Sequence, residues 1–261
     1  MKISIISILM LTSSLIMNVY SQTVMLDETF GQNGTAIIPN TSEIRFFDFD
    51  SHGNIIAVGY SSMDRGKYHL TIAKTSADGI VDESFGNGGL VKVTDYDYSR
   101  LLGLKITSEN KIVVIGGFAK VQFEGRETLI MQFNEDGSID ESFGDNGKVN
   151  LNFNAGNILS LNLENDDFIL LGRRSETIDN NGNIISTFIG NTISKYNYNG
   201  LLDESFGENG KTLLTKVYQM DETFDIHPYC IKILNDGSFC IAGYGYGRRS
   251  DNPPEYNGLA F

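Results

Sequence analysis

The sequence predicts an all-β fold made of four similar units. Two observations carry this prediction: a nine-residue acidic string occurs four times, and short apolar runs alternate with turn residues between its copies. The composition agrees, because 28 glycines stand against 4 prolines, which favours many short strands joined by tight turns. With 41% hydrophobic residues in a chain of 261, there is enough apolar material for a substantial core.

The recurring string begins as LDETFGQNG at Leu26 to Gly34. It returns as VDESFGNGG from Val81, IDESFGDNG from Ile139 and LDESFGENG from Leu202. Its phenylalanines, Phe30, Phe85, Phe143 and Phe206, are 55, 58 and 63 residues apart. A signature at this spacing predicts units that are stacked or arranged radially.

Each recurring residue of the string has a structural role that its chemistry predicts. An aspartate three residues before the Phe can accept backbone N–H bonds in a turn; these are Asp27, Asp82, Asp140 and Asp203. The first apolar residue and the Phe can be buried against a neighbouring unit. Glycines directly after the Phe and four residues beyond it indicate backbone angles that other residues avoid. We therefore expect a structural corner between units and name residues 26–34, 81–89, 139–147 and 202–210 the four acidic corners.

Four segments with strand character lie between consecutive corners. In the second unit they are Leu90 to Thr94, Leu101 to Thr107, Lys111 to Gly116 and Thr128 to Phe133. The third is nearly continuous in apolar residues in every unit, as NIIAVG from Asn54, KIVVIG from Lys111, FILLG from Phe168 and FCIAG from Phe239. Such runs predict a strand that is buried on both faces. Turn residues before each third strand, as in Ser51 to Asn54, predict hairpins.

Four antiparallel strands per unit, with a recurring corner between units, are typical of β-propeller blades. The predicted fold is a β-propeller-like array of four-stranded antiparallel blades, with four repeats of which the last is incomplete. The units span about residues 26–80, 81–138, 139–201 and 202–261. Two interpretations of the short fourth unit, which stops at Phe261, stay open. One is a truncated product; the other is a closed four-bladed ring in which Thr23 to Met25 supplies the missing strand.

The longer string D-G-x-x-D-E-S-F-G-x-x-G, present at Asp78 to Gly89 and Asp136 to Gly147, resembles the delta-60 repeat. This is a family of uncharacterised β-propeller repeats common in bacterial exported proteins. Asn199-Gly200 replaces Asp-Gly before the fourth corner. The resemblance extends over residues 22–261. It implies a β-propeller fold, and it implies no catalytic residue, cofactor or substrate.

Residues 1–21 are predicted to be a signal peptide. Lys2 provides a positive start, residues 3–11 and 15–17 are apolar, and Val19-Tyr20-Ser21 fits cleavage before Gln22. The apolar span of about 15 residues is shorter than the roughly 20 that a transmembrane helix needs. We therefore expect no membrane-spanning segment, and a mature chain, residues 22–261, that is secreted or held at the cell surface.

The net charge of −13 argues against nucleic acid or an anionic lipid surface as a partner. A protein or a glycan is the expected partner.

The loops after the third strands vary most in length: Tyr60 to Lys67, Phe118 to Glu127, Arg173 to Gly190 and Tyr244 to Asn257. Variable loops on a rigid scaffold commonly carry binding. Arg173-Arg174 and Arg248-Arg249 could bind carboxylates or sugars there, or could simply be solvated, so no binding residue is assigned.

No catalytic, cofactor or metal site is predicted. His52, His69 and His227 lie in different units without a shared motif, and a metal site or triad needs convergent side chains. The glutamates of the corners raise the question of calcium, but the spaced oxygen ligands of a calcium loop are absent; these glutamates are Glu28, Glu83, Glu141 and Glu204.

The sequence favours a non-catalytic binding or scaffold protein. The alternatives are a hydrolase that acts on a carbohydrate or lactone through carboxylates around a propeller axis, and a fragment without independent function.

Cys230 and Cys240 flank a predicted hairpin. If Asp236-Gly237 is a two-residue turn, Cys240 lies opposite Ile233 and Cys230 lies on the other face of the sheet. We therefore expect two free thiols that pack as small apolar groups.

Overall fold

The computed structural model describes residues 26–63, 66–121, 127–151, 158–164, 166–180, 183–214, 217–219, 222–234, 238–247 and 256–260. These residues form strands, turns and irregular segments, without a helix among them, which confirms the predicted all-β class. The described residues therefore contain no helix that is long and apolar enough to cross a membrane. The predicted signal peptide and Thr23 to Met25 lie outside the described residues.

The first eight strands form one sheet that consists of two antiparallel groups of four. Their bounds are β1 Glu43–Phe49, β2 Ile55–Met63, β3 Lys67–Thr75, β4 Leu90–Lys92, β5 Tyr98–Ile106, β6 Ile112–Ala119, β7 Glu127–Phe133 and β8 Lys148–Asn150. In the first group β1, β2, β3 and β4 are neighbours in that order, and β5 to β8 follow the same order in the second. A single parallel bridge between Tyr68 and Tyr98 joins the two groups.

The last eight described strands form two further four-stranded sheets, the third and fourth groups. Their bounds are β9 Ile158–Glu164, β10 Asp167–Asn180, β11 Asn183–Tyr196, β12 Lys211–Leu214, β13 Val217–Gln219, β14 Glu222–Ile233, β15 Phe239–Gly247 and β16 Tyr256–Ala260. Neighbouring strands follow chain order in both sheets, and every pairing is antiparallel.

Each of the first three groups takes its last strand from the following repeat. β4 comes after the second acidic corner, yet it pairs with β3 of the first repeat; β8 and β12 pair with β7 and β11 in the same way. The corner itself turns the chain back, because the Asp82 N–H donates to the Lys74 carbonyl and Thr75 bridges to Val81. The predicted strands of the second unit are confirmed, but the first of them completes the neighbouring group.

The third strand of a repeat is the centre of the core. Every residue of β6 is buried, and its side chains alternate between two clusters. Val114 packs in the first cluster with Phe85, whereas Val113 packs in the second with Phe143. β10 alternates likewise between the second and third clusters. The prediction of burial on both faces is confirmed for these strands, whereas residues 239–243 of β15 are only half-buried.

The long segment after the third strand of the third repeat is a hairpin rather than the predicted loop. β10 and β11 pair without a gap in the ladder from Phe168 with Tyr196 out to Asn180 with Asn183, apart from one irregularity after Arg174. The physical reason lies in the composition, because β-branched residues recur along both arms and favour extended backbone.

The hairpin of β14 and β15 has a different register from the one predicted. Cys240 pairs with Lys232, not with Ile233, because the turn is one residue longer than expected. A slip of one residue moves side chains to the other face, so Cys230, which pairs with Ala242, lies on the same face as Cys240. Both thiols are free, with Cys230 exposed and Cys240 half-buried. The predicted apolar packing is therefore wrong for Cys230.

Candidate functional site

The acidic corners are turns capped by their aspartates. In the third corner, Asp140 Oδ1 accepts the Ser142 N–H at 3.2 Å and the Ser142 hydroxyl at 2.6 Å. The same two bonds join Asp27 to Thr29, Asp82 to Ser84 and Asp203 to Ser205. This confirms the capping role that the sequence predicts for the four aspartates.

Each of the first three corners is fastened to the turn that ends its own repeat. The Gly144 N–H donates to the Asn199 carbonyl at 3.2 Å, and the Phe143 ring lies against Gly200. Equivalent bonds run from Gly31 to Asp78 and from Gly86 to Asp136, at 2.6 and 2.9 Å. Phe143 also meets Phe168 of the following group, with ring centroids 5.6 Å apart. The corner is thus a joint that closes its own repeat and packs one group of strands onto the next.

The hairpins before the third strands are tied to one another across repeats. The Ser51 N–H donates to Asn110 Oδ1 at 2.8 Å, and the Ser108 N–H donates to Asp166 Oδ1 at the same distance. Asn110 and Asp166 have φ of 60° and 67°, a left-handed conformation that Asn and Asp tolerate. Consecutive hairpins therefore lie side by side, with a groove between the hairpin and the turn of adjacent repeats.

The first groove, between the first and second repeats, is filled by charged side chains. The Lys74 ammonium lies 3.2 Å from both Asp50 Oδ2 and Glu135 Oε1. The side chains of Asp50 and Lys74 are 1% and 8% exposed, so their charges are largely removed from water. His52 Nδ1 lies 3.6 Å from Glu135 at the outer edge. An ion-pair network therefore closes this groove.

Asp50, His52 and Glu135 place three potential metal ligands within 4.8 Å of one another. Carboxylates and imidazole are ligands that zinc accepts, but the Lys74 ammonium already contacts both carboxylates. Asp50 also accepts hydrogen bonds from the Asn54 side chain and from two backbone N–H groups. The donor set is satisfied by the protein itself and fits an ion pair better than a metal.

The charges of the first groove are held in place by their surroundings. Burial alone would raise the pKa of Asp50, but hydrogen bonds from Asn54, Lys74 and the His52 backbone lower it below the ordinary 3.8. Burial would likewise lower the pKa of Lys74, and the two carboxylates instead raise it above the ordinary 10.5. Asp50 and Lys74 are therefore ionised at neutral pH.

The equivalent second groove, between the second and third repeats, is open. It encloses about 260 Å³ and is lined by Thr107, Glu109, Lys111, Gln132, Asp166 and Tyr198. In the repeat, Gln132 occupies the position of Lys74, and Tyr198 occupies that of Glu135. The ion pair that fills the first groove is therefore missing in the second, which leaves a cavity.

A buried polar network forms one wall of the second groove. The Lys111 ammonium lies 2.9 Å from Asp140 Oδ2 and 2.6 Å from Asn134 Oδ1. Gln132 Nε2 donates to Asp140 Oδ2 at 3.0 Å, which fixes the amide orientation. Gln132 is 7% exposed, and its Oε1 has no hydrogen-bond partner in the described part of the chain. Burial alone would raise the pKa of Asp140, but bonds from Ser142, Gln132 and Lys111 lower it well below 3.8.

The histidines and glutamates considered in the sequence do not form a shared centre among the described residues. His52 lies in the first groove, and His69 lies inside β3, with 4% exposure. His227 lies in β14. The corner glutamates are all exposed, and none belongs to a potential metal-binding group in the described ranges. Arg173-Arg174 lie in β10, whereas Arg248-Arg249 fall outside the description.

The sequence did not identify the two grooves, because each combines residues from neighbouring repeats. The hairpins and the corners lie at the same end of the strands, as the contact between Lys111 and Asp140 shows. The missing information was which hairpin meets which turn. Alignment of the repeats would have drawn attention to Lys74 and Gln132 as unlike residues at one position.

Comparison with known proteins adds a local similarity. A family model described as "Domain of unknown function (DUF5122) beta-propeller" matches residues 108–143. The match begins at the hairpin beside the second groove and ends at the Phe of the third corner. A search of curated proteins gave no significant match. The segment from Ser108 to Phe143 is thus similar to a β-propeller domain, and the all-β, mostly antiparallel architecture of the described chain agrees with this similarity.

Proposed function

We propose that the chain is a secreted or cell-surface β-propeller repeat protein that binds a protein or a glycan and is not an enzyme. In this proposal the four groups of strands are blades, the repeats are of the delta-60 type, and residues 1–21 direct export. The observation that carries the proposal is the repeated joint at the corners. It supports a rigid frame on which equivalent grooves present different side chains.

The difference between the grooves supports binding over a purely structural role. Both grooves lie between the same structural elements, and both are bordered by hairpins that are tied together. In the first, Lys74 forms ion pairs with two carboxylates; in the second, the corresponding positions leave a polar cavity. A fixed backbone with varied side chains is a common basis for recognition.

The alternative is a hydrolase that uses a carboxylate pair. Asp50 and Glu135 are two carboxylates with oxygens within 4.8 Å of each other in the described part of the chain, but both contact Lys74. A general acid needs a raised pKa, whereas the pKa of Asp50 is lowered. These contacts favour the binding proposal. The remaining alternative, a fragment without independent function, predicts that the mature chain does not fold alone.

The test begins with expression of the full chain in a bacterial host that exports proteins. We expect the product in the periplasm or medium, with an N-terminus at Gln22 and a single cooperative melting transition. Retention of residues 1–21, or a chain without a cooperative transition, would contradict export or independent folding.

The exported product is then labelled and applied to a glycan array and to an array of cell-surface proteins. We expect saturable binding to one class of ligand. A matched variant in which residues 177–186 are replaced by Asn-Gly shortens the β10–β11 hairpin and reports whether that hairpin contributes. Turnover of chromogenic glycosides or lactones that is lost in Asp50→Asn would replace the binding proposal with the hydrolase.

A further inference from the structure

We infer that the second groove binds a single neutral hexose unit of a glycan. This inference rests on the proposed binding function and deepens it by naming a site and a class of ligand. The cavity of about 260 Å³ is smaller than the roughly 300–1,000 Å³ of pockets for drug-sized molecules. Its size therefore suits one sugar ring rather than a longer stretch of chain.

The groups around the cavity match the donors and acceptors of a sugar. An ammonium has three N–H donors; Lys111 directs two at Asp140 and Asn134, and the third can donate to a sugar hydroxyl. Glu109 also lines the cavity and has carboxylate oxygens that can accept from a second hydroxyl, whereas Gln132 Oε1, which has no partner among the described residues, is closed off from solvent. Lys111 is held by Asp140 and Asn134, so little ordering of its side chain is needed on binding.

Tyr198 provides the apolar surface that a sugar ring requires. Its side chain lines the cavity, and the residue is 62% exposed. An aromatic ring with one polar tip can stack against the C–H face of a pyranose while its hydroxyl remains in water. The first groove has Glu135 at this position and lacks such a surface.

The charge of the site selects against acidic sugars. Glu109 and Asp166 line the cavity, and Asp140 lies behind Lys111. The site thus contains one ammonium and three carboxylates, so a uronic acid or a sulfated sugar would be repelled. The chain as a whole carries a net charge of −13, which adds to this preference. A neutral hexose is the ligand that remains compatible with the site.

The experiment uses the exported full-chain product with methyl glucoside, methyl galactoside and methyl mannoside as probes. Binding is measured by saturation-transfer NMR and by calorimetry, and the methyl glycoside of glucuronic acid is the charged control. We expect at least one neutral hexoside to bind with a Kd of about 1 mM, and the charged control to bind at least about ten times more weakly.

Three variants locate the site. Tyr198→Ala removes the stacking surface and should weaken binding at least about tenfold, a loss of about 1.4 kcal/mol, whereas Tyr198→Phe should retain it. The double variant Gln132→Lys with Tyr198→Glu recreates the ion pair of the first groove and should abolish binding. Because Tyr198 is exposed, Tyr198→Ala should melt within a few degrees of the wild type.

Two results would overturn the inference while leaving the proposed function intact. One is glycan or protein binding on the arrays that Tyr198→Ala leaves unchanged, since the ligand would then bind elsewhere. The other is array binding without any neutral hexoside signal at about 10 mM. Absence of all array binding would instead contradict the proposed function.

Discussion

At the scale of single residues, the glycine that precedes the second, third and fourth corners is needed both for its backbone angle and for its small size. Gly137 has a φ of 87°, and a Cβ there would lie 2.5 Å from Val91 Cγ2 and 2.9 Å from the Phe85 ring. Gly88 has a φ of 63°, but a Cβ there would meet nothing within 4 Å. Both positions require a left-handed backbone angle, but only Gly137 also lacks space for a side chain. Substitutions at the two glycines therefore measure these two effects separately.

We expect Gly137→Ala to lower the free energy of unfolding by about 2–5 kcal/mol, because backbone strain and overpacking add. Gly88→Ala should lower it by about 1–2 kcal/mol, because only the strain applies. Urea unfolding of both variants measures the difference. Equal losses would show that the contact with Phe85 is unimportant.

The buried carboxylate of Asp140 makes stability depend on pH. Its pKa in the folded chain lies well below 3.8, whereas in the unfolded chain it is about 3.9. The stabilisation is complete above about pH 4 and is lost as the pH falls through the folded pKa. The wild type should therefore lose stability below about pH 4, with little change from about pH 5 to 8.

Asp140→Asn should lower the free energy of unfolding at pH 7 by about 2–4 kcal/mol, since Lys111 loses its ionised partner. The variant should also show a shallower decline in acid than the wild type. Glu141→Gln, at an exposed neighbouring position, is the control. Parallel acid curves for wild type and Asp140→Asn would contradict the assignment.

The roles of the corner residues could be predicted because four copies show which residues recur. The aspartate caps and the buried Phe85 and Phe143 follow from that recurrence. The grooves could not be predicted, because Lys74 meets Glu135 and Gln132 lies near Tyr198 only through the packing of different repeats. Contacts of this kind depend on the register between repeats, which no local pattern contains.

At the scale of elements, the phenylalanine of the corner is buried to different extents in different repeats. Phe143 is 1% exposed and packs on Phe168 at 5.6 Å. Phe206, its equivalent in the fourth corner, is half-buried and meets Phe239 at 6.0 Å. Beside the fourth corner lies a cavity of about 650 Å³ lined in part by Gly207. The phenylalanine of the corner therefore contributes more to the free energy of unfolding in the third corner than in the fourth.

Phe143→Ala should lower the free energy of unfolding by about 3–5 kcal/mol, because a fully buried ring leaves a cavity. Phe206→Ala should lower it by about half as much, since its ring is partly in water already. Chemical denaturation of both variants tests this ranking. A larger loss for Phe206→Ala would contradict the burial described for the two corners.

Strand positions were predictable where apolar residues recur without interruption, as in β6. The predictions were wrong where a turn was misjudged. The segment after Arg173 continues as strand, and one extra turn residue changes the partner of Cys240. A turn sets the register of both strands that it joins, so a small error there is carried along the whole hairpin.

At the scale of the whole molecule, the core of the described residues consists of three clusters in series, each between consecutive groups. The strands that precede the hairpins form a continuous line, in which β1 contacts β5, β5 contacts β9 and β9 contacts β14. Such an arrangement makes stability a sum of neighbour contacts. The central strands, which have neighbours on both sides, should be the most stable.

Hydrogen exchange measured by mass spectrometry should show this gradient. We expect the amides of β6 to exchange most slowly, because all its side chains are buried. The amides of β15 should exchange faster, because residues 239–243 are half-buried. Equal protection of β6 and β15 would indicate one fully cooperative unit instead of a series.

The strand that each of the first three groups takes from the next repeat also determines how a cleaved chain would behave. A protease that cut the exposed Asn87-Gly88 bond would separate β3 from β4 in sequence, while their ladder of hydrogen bonds would still join the two pieces. The second, third and fourth acidic corners are therefore positions at which two fragments of the chain could stay associated. A nicked molecule would pass through a sizing column as one particle and separate into two only in denaturant.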